Sequence, residues 1–163
     1  MTRQRGMLAI AIGALCAGAL FYAVDRGHDH VYFLPEWLPP NNPSPGLFGG
    51  IGAHLPTFIH VYAFILLTVA VAAPPIAKPI PICLAWLSLD CLLEVAQNDA
   101  PARWIATHTP EWFSGIPFLE NTANYFLLGT FDPLDLLSIA AGTLAAHLTI
   151  RISQGWLHNE KRA

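Results

Sequence analysis

The run LPTFIHVYAFILLTVAVAA (residues 55–73) carries no Asp, Glu, Lys or Arg. At ~1.5 Å of rise per residue, a helix of this length nearly matches the ~30 Å hydrocarbon layer of a bilayer. It reads as a membrane-spanning helix, and the rest of the chain agrees with it. Outward from it, three more apolar windows stand at about residues 7–24, 80–97 and 134–152. Hydrophobic residues make up 54% of the 163-residue chain and charged residues 12%, the latter about half the share usual in globular proteins. The fold expected is therefore all-α: one membrane domain over 1–163, with four transmembrane helices and two long loops, 25–54 and 98–133.

Charge sets the expected orientation. Arg3 and Arg5 precede the first span, Lys78 lies between the second and third, and Arg151, Lys161 and Arg162 follow the fourth. Only Arg26 and Arg103 fall in the long loops. The positive-inside rule then gives N-in, C-in, with both long loops extracytoplasmic. The first span also has the order of a cleavable signal, ending near Ala17-Gly18-Ala19, but its apolar length favours a retained anchor. Its small residues, Ala9, Gly13 and Ala17 on one face and Ala14 and Gly18 on another, are expected to pack closely against a neighbouring helix.

Prolines punctuate the connections. Pro35, Pro39, Pro40, Pro43 and Pro45 mark the first long loop as an irregular cap, with Tyr32, Phe33 and Trp37 suited to the headgroup level. Pro74, Pro75, Pro79 and Pro81 make a stiff turn that sets the second and third spans antiparallel. The second long loop, with Trp104, Trp112, Phe113, Phe118, Tyr125 and Phe126, suits short helices on the membrane surface. Cys16, Cys83 and Cys91 lie inside spans without zinc or disulfide spacing and read as small apolar fillers.

The polar residues inside the spans carry the functional signal, because buried ionisable groups in a bilayer are costly. Asp90, Glu94 and Gln97 stand at i, i+4 and i+7 and form one stripe on the third helix. Helical rise sets Asp90 near mid-membrane, with Glu94 and Gln97 toward the outer surface. His60, about two turns into a helix starting near Leu55, is expected level with Glu94. Asp135 opens the fourth span on the face of Ser138, Gly142 and Ala146. A ligand-binding set of His60, Asp90, Glu94, Gln97, Asp132 and Asp135 is thus expected, with His54 and Asp132 at its mouth. Such a set could shuttle protons, hold a divalent metal, or act as acid and base on a lipid headgroup or carrier phosphate.

Structural roles compete. Polar side chains can simply lock helices together. Asp132-Pro133 suits an N-cap with proline at the first helical position, and Asp135 suits the helix dipole. His147, deep in the fourth span, suits a hydrogen bond to a neighbouring helix. His28 and His30 form only a weak metal signal. The chain has no phosphate loop, nucleophile elbow or zinc-protease motif, and no basic surface for nucleic acid. No cofactor and no resident metal are expected.

The segments FIHVYAF (58–64), WLSLDCLLEVAQ (86–97) and FDPLD (131–135), followed by Gly142, together resemble the VanZ-like membrane proteins, over roughly residues 55 to 150. Ile139 stands where that family often carries Asn, and a basic residue common before the His segment is missing. The resemblance implies a multi-pass protein of the bacterial inner membrane with an outward-facing polar site at His60, Glu94, Gln97, Asp132 and Asp135. The expected function is capture of an envelope lipid, lipid carrier or membrane protein partner. Two alternatives stand beside it. One is an intramembrane enzyme on a lipid-linked substrate with His60, Glu94 and Asp135 as acid and base; the other is a proton-linked transporter centred on Asp90.

Overall fold

The computed structural model describes residues 2–25, 48–72, 79–117 and 119–160. They contain no strand. Six helices follow in order: α1 (Thr2–Asp25), α2 (Gly49–Val71), α3 (Ile80–Val95), α4 (Asp99–His108), α5 (Thr122–Leu128) and α6 (Pro133–Glu160), with 3-10 turns at Glu111–Phe113 and Leu119–Asn121. His28, His30, Tyr32, Phe33 and Trp37, the connection 73–78, and Lys161 and Arg162 lie outside the described residues.

The apolar run that opened the sequence reading becomes the centre of the bundle. Val61, Ile65 and Leu66 of α2 are fully buried, and Met7 and Ala11 of α1, Cys83 of α3, and Ile139, Ala146 and Ile150 of α6 pack into the same cluster. The helix directions follow from pairings along their length. The Phe21 and Phe48 rings stand 4.5 Å apart, and a Cβ on Gly18 would lie 3.1 Å from Ile59, so α1 runs antiparallel to α2. His54 meets Asp135 and Tyr62 meets Thr149, so α2 and α6 run parallel. Trp86 meets Thr68 and Glu94 meets Asp132, which sets α3 antiparallel to both. The start of α1, the end of α2 and the end of α6 therefore share one end of the bundle. The start of α2, the end of α3 and the start of α6 share the other, hereafter the site end.

Gly142 sets the spacing of the parallel pair. A Cβ there would lie 2.5 Å from Val61 Cγ1 and 2.6 Å from the Phe58 carbonyl oxygen, so only glycine lets α6 approach α2 this closely. Ala146, one turn on, is fully buried in the same seam.

Three helices are long and apolar enough to cross a membrane: Gln4–Phe21, Gly49–Val71 and Pro133–Gln154. A fourth crossing is counted only if α3 and α4 are taken as one element, and they are bent by 94° at their junction. The third span expected over 80–97 is present as helix α3, Ile80–Val95. α3 has 16 residues, about 24 Å of rise, and the turn at Ala96–Asn98 ends it. The second span is corrected at its start: α2 begins at Gly49, six residues before Leu55, so residues 49–54 belong to a helix and not to the loop. Gly49 opens the helix at φ 54°, a left-handed conformation that glycine adopts without a steric cost. On α1, Ala9, Gly13 and Ala17 face outward, with open space around Gly13, whereas Gly18 packs tightly on Ile59 of α2. All three cysteines are free, with Cys83 buried, Cys91 half-buried and Cys16 exposed.

Candidate functional site

The site is built where α6 begins. Asp132 precedes the helix and caps it: its Oδ1 accepts the Leu134 N–H at 2.8 Å and its carbonyl accepts the Asp135 N–H at 2.9 Å. Pro133 suits the first helical position because it has no N–H to leave unpaired. The Asp132 N–H in turn donates to Glu94 Oε1 at 2.8 Å. One residue therefore starts α6 and ties it to the end of α3, and Glu94 is buried beneath this contact.

Asp135, one turn further, faces α2. His54 Nδ1 donates to Asp135 Oδ1 at 3.0 Å, so the proton on that nitrogen is assigned by the carboxylate, which can only accept. The other ring nitrogen, Nε2, stands 3.9 Å from Asp132 Oδ2, beyond hydrogen-bond reach. His54 is thus held between two aspartates, anchored by one and open toward the other. The Asp132 side chain is 42% exposed and that of Asp135 17%, so the cluster faces outward through Asp132.

An apolar groove of about 400 Å³ adjoins it. Gly50, Ile51, Leu55 and Phe58 of α2 and Leu134 and Ser138 of α6 line it, and His54 forms part of the same wall. His54 is the residue common to the groove and the carboxylate cluster. A second depression, about 480 Å³, lies where Gln97, Asn98, Asp99 and Pro101 face Gly129 and Thr130. There Gln97 Nε2 donates to the Tyr125 hydroxyl at 3.3 Å, and Gly129 lies so close to the Gln97 amide that a Cβ would collide with it.

The expected set of site residues divides in the structure. Glu94, Asp132 and Asp135 come together as the spacing implied. His60 does not join them. Because α2 starts at Gly49, His60 is eleven residues from its beginning, ~17 Å deep, and stands across from Asp90 instead of Glu94. It is exposed, with its ring edge against Phe64 at 4.5 Å. His54, expected only at the mouth, takes the central place. Gln97 belongs to the second depression. His147 is half-buried and makes no hydrogen bond to another described residue. The signal that could have promoted His54 was present in the sequence, since His54 and Phe58 at i and i+4 continue the helical face of the apolar run.

The chemistry of the site is that of three carboxylates and one imidazole. Both ion pairs among the described residues belong to His54, and no described group of three or more His, Cys, Asp and Glu has the arrangement of a metal site. Such a surface attracts amines and hydroxyls, and repels a free phosphate, because no Lys or Arg among the described residues pairs with it. Comparison with protein-family models, with curated proteins and with solved structures finds no match for this chain.

Proposed function

We propose that the chain is a multi-pass protein of a bacterial inner membrane that captures an envelope lipid at the site end. The apolar chain lies in the groove and an amine- or hydroxyl-bearing head meets Asp132 and His54. The observation that carries this reading is His54, which lines the groove and pairs with Asp135 at 3.0 Å. Orientation supports it: Arg3 and Arg5 in the first turns of α1 and Arg151 in the second half of α6 lie toward the end opposite the site, which favours an outward-facing site. The VanZ-like resemblance of the His, Glu-x-x-Gln and Asp-Pro-Leu-Asp segments supports the same placement.

The test uses the full chain in nanodiscs made with equal parts of phosphatidylethanolamine and phosphatidylglycerol, followed by progressive delipidation. Wild type retains the amine-headed lipid preferentially, whereas His54→Ala and Leu55→Trp retain neither lipid selectively. Equal retention of both lipids by wild type contradicts the proposal.

One observation favours a second reading. Nδ1 of His54 is anchored by a carboxylate while Nε2 makes no hydrogen bond, the arrangement of an oriented general base. In this reading the same captured lipid is hydrolysed or transesterified. Purified protein that leaves labelled envelope lipids chemically unchanged removes it without touching the binding proposal.

A further inference from the structure

A second polar locus lies deeper, away from the His54 cluster. Asp90 is buried to 7% exposure, and its Oδ2 has no hydrogen-bond partner. The Thr143 hydroxyl of α6 is likewise buried and unpartnered. Buried polar atoms are rarely left unsatisfied, and an ionisable one within a membrane span marks a functional position whose partner should be nameable.

The partner is fixed by helix register. α2 and α3 run antiparallel, with Thr68 and Phe64 of α2 on Trp86 of α3. One turn from Trp86 toward the site end on α3 is Asp90, and one turn from Phe64 in the same direction on α2 is His60. The two act on each other electrostatically. They are also beyond the 4.0 Å of a direct ion pair, since both pairs within that limit belong to His54. The titratable groups nearby on α3 are Cys91, which feels Asp90 and Glu94, and Glu94, which is committed to the Asp132 N–H. On α6, Asp135 is bound to His54, and His147 and Arg151 lie further along the helix toward the opposite end.

We propose that Asp90 and His60 form an intramembrane proton-binding pair, bridged by one water and independent of the lipid-capture site. In one state Asp90 is the un-ionised acid and donates through Oδ2 to the water. In the other, the Asp90 proton has passed to the water while a water proton has passed to a ring nitrogen of His60, leaving carboxylate and imidazolium. No atom is gained or lost between the two. A single shared water satisfies the orphaned carboxyl oxygen and gives an otherwise unpaired imidazole on the face of α2 its partner, which a dry gap between them does not.

The full chain in nanodiscs is treated with dicyclohexylcarbodiimide, a lipid-soluble reagent that adds to un-ionised carboxyls, over about pH 5 to 9, the range in which histidine sites titrate. Peptide mass mapping is expected to find Asp90 modified, with the yield falling as pH rises. His60→Gln is expected to move the midpoint of that fall by about one pH unit, the size of a neighbouring-charge effect. Infrared spectra provide the second measurement: Asp90→Asn removes a pH-dependent band of un-ionised carboxyl, and Asp135→Asn leaves that band in place. An Asp90 that shows neither labelling nor a carboxyl band, or a pH profile that His60→Gln does not move, overturns the proposal. Because Asp135→Asn, which breaks the bond to His54, is expected to lower lipid selectivity about tenfold and to leave this band untouched, failure of one proposal is distinguishable from failure of the other.

Discussion

The two halves of the α2, α3 and α6 core are built on opposite rules. Toward the end opposite the site, the seam is dry and interlocked. Ile65, Leu66 and Ile150 are fully buried, and Trp86 Nε1 donates to Thr68 Oγ1 at 3.0 Å while that hydroxyl donates to the Phe64 carbonyl at 2.8 Å. At the site end α2 and α6 leave a groove with His54 in its wall, and Asp132 and Asp135 flank that histidine while Glu94 is tied to Asp132. The difference teaches how packing and the proposed binding divide the core: close packing holds the bundle, and its interruption leaves the groove to which lipid capture is assigned under the proposal.

That division is broken or sharpened by substitutions on either side. The largest effect is expected for Ile65→Ala, which removes a fully buried side chain from the dry half and costs about 3 kcal/mol of stability. Unfolding in mixed micelles should show the loss, while lipid selectivity of the folded fraction is unchanged. Next is Gly142→Val, whose side chain meets Val61 and the Phe58 carbonyl and costs about 2 kcal/mol by overpacking. Because Phe58 also lines the groove, this variant alone is expected to impair both stability and selective retention. Asp135→Asn should leave stability within about 0.6 kcal/mol, the average size of a polar contact between membrane helices. It should lower selective lipid retention about tenfold, the equivalent of one charge-assisted hydrogen bond. The smallest effect belongs to Thr68→Val, which loses the Trp86 hydrogen bond at about 0.6 kcal/mol and leaves retention unaltered. A Thr68→Val variant that loses lipid selectivity would show that the two halves are coupled and would end the division.

The sequence disclosed more of the fold than of the site, and the reason is physical. Apolar runs without charge identify α1, α2 and α6 because hydrocarbon demands length and hydrophobicity. Asp132-Pro133 identifies the start of α6 because capping is local. What escaped was set by helix starts and stops. Gly49, Gly50 and Gly52 beside five prolines read as loop, yet they form the first turns of α2. Those six residues exchange His60 for His54 at the level of Glu94. The stripe on α3 predicts correctly that Asp90 and Glu94 turn inward, and both are buried. It cannot show that Gln97 leaves the stripe, because the turn at Ala96–Asn98 rotates it toward Tyr125. Depth along a helix is only as reliable as the residue from which it is counted.

The most direct measurement is photo-crosslinking with a phosphatidylethanolamine carrying a diazirine in its acyl chain, mapped to single residues on the full-length protein in nanodiscs. The account predicts crosslinks concentrated on Ile51, Leu55, Phe58 and Leu134, and their loss in His54→Ala. Crosslinks spread evenly over the outward faces of α1, α3 and α6, and unchanged by His54→Ala, would contradict it.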